Sequence, residues 1–124
     1  MNTLSTLRSL LTEWKTKLEI KHTVMICWAD SSAFKSLYGF EAWAGVERVE
    51  PGVYVIGVDK EIQHAPTYVA SLLVLHELMH IKLPARGGVW GHANKAKWHH
   101  RAFRVAEMMH PSYTEGNVWL WRHR

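Results

Sequence analysis

The stretch Val74–Ile81, which reads Val-Leu-His-Glu-Leu-Met-His-Ile, decides how this chain of 124 residues is interpreted. It places His76 and His80 four positions apart, and residues i and i+4 lie above one another on the same face of an α-helix. Two imidazoles in that arrangement can occupy two corners of a tetrahedral zinc site. Glu77 lies about 60° around the helix from His80, at roughly 100° per residue, so it can reach a water held by the metal without being a ligand. The spacing therefore predicts a metal site with Glu77 as general base.

The residues around this motif predict a buried central helix over Thr67–Leu83. The segment is apolar on nearly every side, which is typical of a helix covered all round. Pro66 can begin such a helix and Pro84 can end it. The alternative is that the two histidines are ordinary core residues with satisfied hydrogen bonds. Because polar groups are costly to bury without partners, the metal site is the favoured interpretation.

Length and composition indicate a single domain over residues 1–124. Hydrophobic residues make up 48% and charged residues 21% of the chain, which is ordinary for a soluble globular protein. Cys27 is the only cysteine, so no intrachain disulfide can form and a reducing, cytoplasmic location is expected. Its apolar neighbours predict that Cys27 is a buried small side chain. No segment has the length and hydropathy of a membrane span, so no membrane partner is expected. Oligomeric state has no signal in the sequence.

The order of predicted elements indicates an α+β fold. A helix is followed by strands, the motif helix, a Gly-rich loop and a last helix ended by Pro111. We therefore expect a small, mostly antiparallel sheet with the motif helix at the centre and flanking helices around it. The predicted elements are the helix Thr3–Glu19, the strands Ile20–Trp28, Phe40–Trp43, Gly45–Val49 and Val53–Val58, the motif helix, the last helix Lys95–His110, and an apolar tail Val118–Trp121 that packs on the body.

A catalytic zinc site usually takes three protein ligands, so the last helix is expected to supply one. The predicted apolar face of that helix comprises Trp98, Ala102, Val105, Ala106 and Met109, with Phe103 at its edge. His99 falls on the inward side and is the preferred third ligand. His92 in the preceding loop, His100 and Glu107 are the alternatives, although His100 and Glu107 are expected on the wetter side.

The chain resembles the SprT-like zincins, and more closely the short metallopeptidases encoded by phages and prophages. The resemblance rests on the motif His76-Glu77-Leu78-Met79-His80 and on His99, which precedes Phe103 by four positions. It implies a zincin-like fold, zinc as cofactor, and a protein or peptide substrate, in a host cytoplasm if the gene is phage-encoded. In SprT-like proteins the downstream histidine is commonly followed by Gly, whereas here His100 follows.

The leading hypothesis is a zinc-dependent metallopeptidase. Zincins bind an extended substrate along a strand beside the motif helix, and Val53–Val58 is the candidate for that role. Tyr113 and His100 are candidates for stabilising the oxyanion.

The alternative hypothesis is a metal-stabilised module that binds nucleic acid or protein and catalyses nothing. The net charge of +4 and a basic last helix allow a weak nucleic-acid contact. The basic residues concerned are Lys95, Lys97, Arg101 and Arg104.

Overall fold

The computed structural model describes residues 1–30, 43–83 and 101–123. In these ranges the chain forms four α-helices, one 3-10 helix and a three-stranded sheet, which confirms the α+β class. No helix in these ranges is long and apolar enough to cross a membrane. In chain order the elements are α1 (Leu4–Lys17), β1 (Thr23–Ala29), β2 (Ala44–Glu50), β3 (Val53–Asp59), the 3-10 helix Lys60–His64, α2 (Thr67–Lys82), α3 (Arg101–Met108) and α4 (Tyr113–Arg122).

The sheet is mixed, and the prediction of a mostly antiparallel sheet is wrong. Its strand order is β1-β3-β2, with β1 parallel and β2 antiparallel to β3. β2 and β3 form a hairpin because Pro51-Gly52 closes a tight turn, in which Gly52 adopts a left-handed φ of 80°. β1 is joined to β2 by a longer connection, which gives the chain room to cross over and lay β1 parallel to β3.

Strand β3 lies at the centre of the sheet, so it cannot serve as the predicted substrate-binding strand. Its residues pair with β1 on one side and with β2 on the other, as Ile56 does with Ile26 and Val46. A strand paired on both sides has no free row of backbone groups to offer a peptide. In this sheet, only the outer edges of β1 and β2 could accept an extended chain.

The main core forms between one face of the sheet and helices α1 and α2. Side chains alternate across a strand, and in β3 Tyr54, Ile56 and Val58 are buried on the helix-covered face. Helix α2 is the central element, as predicted, with ten of its sixteen residues buried on more than one side. It packs against α1, α3, α4 and the sheet. Because α2 is covered from several directions, the motif histidines are half-buried.

Two details of the fold differ from expectation. Cys27 is exposed, because it follows the buried Ile26 on β1 and points to the other face of the sheet. The tail is a helix, α4, whose Gly116 lies directly against Leu72 of α2. Within the tail, Val118 and Trp121 are exposed, whereas Trp119 and Leu120 pack on the main core.

Candidate metal centre

Helix α2 brings the three motif side chains together, as its spacing predicts. The ring centroids of His76 and His80 are 5.0 Å apart. Glu77 is only 5% exposed, and its Oε2 lies 4.0 Å from Nε2 of His76. The two imidazoles and the carboxylate therefore converge on one small region at the surface of α2.

Helix α3 covers this region with one aromatic and one acidic side chain. The ring of Phe103 packs against both histidines, with its centroid 5.1 Å from that of His76 and 4.7 Å from that of His80. The Glu107 carboxylate contacts Nδ1 of His76 directly. Phe103 excludes water from one side of the imidazoles, while Glu107 fixes the orientation of one ring.

The face that α3 presents to α2 differs from the apolar face predicted for it. Ala102, Val105 and Met109 were expected inside but are exposed, Met109 by 80%. Phe103 and Ala106 face inward, as predicted, together with Glu107 and with His110 just after the helix. Glu107 was expected on the wetter side, and that expectation is wrong. The reason is that α2 offers polar partners here, so the polar side chains of α3 are drawn inward.

Burial and neighbouring charges shift the pKa of both polar groups at the centre. Burial raises the pKa of Glu77 to about 7, with a further rise from the Glu107 charge and an opposing effect of His76. For His76, burial lowers the pKa, but the hydrogen bond with Glu107 and the charges of Glu77 and Glu107 outweigh burial and raise it overall. The Glu77 carboxylate can therefore exchange a proton near neutral pH.

The donor atoms present suit a zinc ion in part. Because Nδ1 of His76 contacts Glu107, a metal would be coordinated through Nε2, and imidazole nitrogens are common zinc ligands. Within residues 1–30, 43–83 and 101–123, no group of three His, Cys, Asp or Glu side chains is arranged to hold a metal ion. His99, His92 and His100 lie outside these ranges, so the choice of third ligand stays a prediction.

Tyr113 is the first residue of α4 and is half-buried. In the described parts of the chain, no hydrogen bond or ring contact joins its side chain to His76, Glu77 or His80. Its suggested role as an oxyanion donor therefore has no support from the contacts in those parts of the chain.

A second polar cluster, which the sequence interpretation missed, lies further along the same helices. The Oγ of Ser71 lies 3.0 Å from Nε2 of His110 and accepts a hydrogen bond from Nε1 of Trp14 at 2.9 Å. The rings of Trp14 and His110 are 5.2 Å apart. The available signal was the spacing of Phe103, Glu107 and His110, which fall at i, i+4 and i+7 on one helical face.

In comparisons with protein-family models, curated proteins and solved structures, no match to this chain was found. The site must therefore be interpreted from its own geometry.

Proposed function

We propose that this protein is a zinc-dependent metallopeptidase of the HExxH type. The observation that carries the proposal is the contact between Glu107 and Nδ1 of His76. A carboxylate on the far nitrogen of a histidine fixes the ring and its tautomer, and metal-binding histidines almost always donate that N–H to a carboxylate, a backbone carbonyl or a water. It leaves Nε2 of His76 on the side of Glu77, at 4.0 Å from its carboxylate.

The proposed ligands are His76, His80 and His99. A zinc ion bound by them would act as a Lewis acid that polarises the scissile carbonyl and lowers the pKa of a coordinated water. Phe103 limits the access of bulk solvent to both motif histidines, which strengthens electrostatic interactions around them. Glu107 holds the His76 ring in one orientation before any ligand arrives.

Glu77 is the proposed general base. Its carboxylate would take a proton from the attacking water and then deliver it to the leaving amine nitrogen. A base is most effective when its pKa lies near the working pH, and burial brings the pKa of Glu77 to about 7. The substrate class is a protein or peptide, which follows from the proposed reaction. We also propose a cytoplasmic location, because the single cysteine cannot form an intrachain disulfide.

The first test is the metal content of untagged protein for the wild type and three histidine variants. We expect about one zinc per chain in the wild type, loss of zinc in His80→Ala and His99→Ala, and retention in His92→Ala. Loss in His92→Ala with retention in His99→Ala would move the third ligand and keep the chemistry. A wild type that takes up no zinc, even after zinc is added back, would overturn the proposal.

The second test separates catalysis from metal binding. Glu77→Gln should retain zinc but lose hydrolysis of an unfolded protein substrate by about 10²–10⁴-fold, the usual contribution of a general base. Glu77→Asp is the matched control, since it keeps the carboxylate but shortens its reach. Unchanged turnover in Glu77→Gln would contradict the role of Glu77. Zinc binding without hydrolysis in the wild type would favour the alternative, a metal-stabilised binding module.

A further inference from the structure

Three contacts join α2 to the segment that contains α3, and their residues follow opposite orders in the two segments. Phe103 packs on His80, Glu107 contacts His76, and His110 contacts Ser71. As the residue number rises in one segment it falls in the other, so the two pack antiparallel. Phe103 is an apolar contact without strong directional preference. The other two are polar, so they are the contacts that can specify the axial position of α3 along α2.

The hydrogen bonds of His110 determine which of its nitrogens carries the proton. The backbone N–H of Ser112 donates to Nδ1 at 2.9 Å, so Nδ1 is an acceptor. A neutral imidazole then carries its proton on Nε2, which donates to Oγ of Ser71 at 3.0 Å. Ser71 also accepts from Trp14. An Oγ that accepts from the imidazole is not being deprotonated by it, so this pair is not a nucleophile and its base.

We propose that His110 is a positioning residue, which sets the axial position of α3 on α2 and thereby keeps Glu107 in contact with His76. Its two ring nitrogens join Ser71 of α2 to the backbone at Ser112. Pro111 restricts the backbone conformation of His110, so the ring is held from both sides. A shift of α3 by one helical turn, about 5.4 Å, would separate Glu107 from His76. The consequence for zinc affinity rests on the proposed function, but the effect on the Glu107–His76 contact does not.

The first experiment follows the His76 ring nitrogens by ¹⁵N NMR in the metal-free full chain at a fixed pH. Ser71→Ala removes the acceptor on α2. His110→Gln keeps an N–H donor long enough to reach Ser71, whereas His110→Asn is too short but can keep the local bond to the Ser112 N–H as an Asx turn. His123→Gln is the control, because that exposed histidine directly follows α4 and, in the described parts of the chain, contacts Trp119 of that helix.

We expect the Nδ1 signal of His76 to move in Ser71→Ala and His110→Asn, and to stay near its wild-type position in His110→Gln and His123→Gln. A role for His110 that is confined to its bond with Ser112 predicts the reverse for the two His110 variants: the His76 signal stays in His110→Asn and moves in His110→Gln. A folded Ser71→Ala variant with the wild-type His76 signal would overturn the proposal. If Ser71→Ala does not fold, the two His110 variants decide. A moved His76 signal in His110→Asn with an unmoved signal in His110→Gln supports the proposal, and the opposite result overturns it.

The second experiment measures zinc affinity by chelator competition for the same variants. Loss of a group that orients a ligand typically lowers metal affinity by 10–100-fold, and we expect about tenfold in Ser71→Ala and His110→Asn. The two proposals fail differently. A wild type without zinc overturns the proposed function, and the NMR result then still decides the role of His110. Wild-type zinc affinity in Ser71→Ala, together with an unmoved His76 signal, overturns the positioning role alone.

Discussion

Helix α2 borders two very different packed regions. On one side is the sheet-side core, to which the described parts of the chain contribute 17 buried residues, mainly from α1, the sheet, the 3-10 helix and α2 itself. On the other is the site-side cluster, whose buried members within residues 1–30, 43–83 and 101–123 are Leu75, Met79 and Phe103. The larger region contains apolar side chains in continuous contact. The smaller one lies beside the two motif histidines, which Phe103 contacts.

Because of this difference, we expect the two regions to contribute unequally to stability and to the proposed chemistry. Apolar burial scales with area, so among the described residues the sheet-side core contributes more to stability than the site-side cluster does. Beside the site-side cluster, the polar group of His76 is held by a specific partner, Glu107. We therefore expect substitutions in the sheet-side core to lower stability alone, and substitutions in the site-side cluster to weaken zinc binding as well.

The largest expected effects come from truncating one side chain in each region. Ile56→Ala in the sheet-side core should lower the free energy of unfolding by about 2–5 kcal/mol and Phe103→Ala in the site-side cluster by about 3–5 kcal/mol, because both side chains are almost fully buried. Only Phe103→Ala should also weaken zinc binding by the folded protein, since Phe103 touches both motif histidines. Urea unfolding and chelator competition measure the two quantities.

The conservative pair Ile56→Val and Phe103→Leu serves as control for variants that fold poorly. Each should cost about 0.5–1.5 kcal/mol, and the contrast in zinc affinity should persist. Equal loss of zinc affinity in both regions would show that stability and site geometry are not separable in this fold.

A smaller effect is expected where α4 meets α2. A Cβ added at Gly116 would lie 2.6 Å from Cδ2 of Leu72, so Gly116→Ala forces the buried Leu72 to move. Overpacking costs about 1–3 kcal/mol, and the better helix propensity of Ala returns up to about 1 kcal/mol. We expect a net loss of about 1 kcal/mol in urea unfolding. Asn117→Ala, on the exposed side of α4, is the control, and a stabilised Gly116→Ala variant would contradict the close packing.

The contribution of His110 to the free energy of unfolding should depend on pH. Burial lowers its pKa below the ordinary value of 6.5, with a further decrease from Lys17 and an opposing effect of Glu13. The folded chain then binds fewer protons at this site than the unfolded chain. This contribution is therefore complete above pH 6.5 and is lost as the pH falls below that value. The free energy of unfolding of the wild type should therefore exceed that of His110→Gln by more at pH 7.5 than at pH 5. A difference in unfolding free energy that does not change with pH would contradict the lowered pKa of His110.

The smallest effect, and the only gain, is expected at Glu19. This residue follows α1 with a left-handed φ of 56°, and hydrogen bonds from Glu19 to Thr16 and from Ile20 to Lys15 close the helix end as a Schellman motif. Glycine adopts that conformation without the steric cost of a Cβ, so Glu19→Gly should stabilise the protein by about 0.5–1 kcal/mol. Glu19→Ala is the control, because it removes the charge and keeps the Cβ. Thermal unfolding should separate the two, and zinc binding should be unchanged in both.

Local patterns in the sequence predicted the elements of the sheet-side core well. The helix at Thr3–Glu19, the strand at Val53–Val58 and the motif helix at Thr67–Leu83 each match an observed element to within a few residues. Their periodicity is a local property, and apolar residues there do face the interior. The parallel pairing of β1 with β3 was missed, because strand pairing is decided by contacts between distant residues.

On the site side the same method predicted the inward face of α3 only in part: Phe103 and Ala106 do face inward. It turned Val105 and Met109 inward on the assumption that apolar residues are buried. Here the facing surface of α2 carries His76 and Ser71, so Glu107 and His110 are the residues that find partners. Hydrophobic periodicity is a poor guide where both surfaces are polar. Motif spacing, by contrast, correctly placed His76, Glu77 and His80 together on the central helix, because it depends only on helix geometry.

The central position of β3 also bears on the order in which the sheet assembles. The β2–β3 hairpin needs only the turn at Pro51-Gly52. Thr23 of β1, in contrast, must pair with Val53, whose residue number is 30 higher. Closing the longer loop costs more conformational entropy and slows the contact. We therefore expect the hairpin to form early and β1 to dock late. As the last strand to join and an outer one, β1 should also be the first to open in native-state hydrogen exchange.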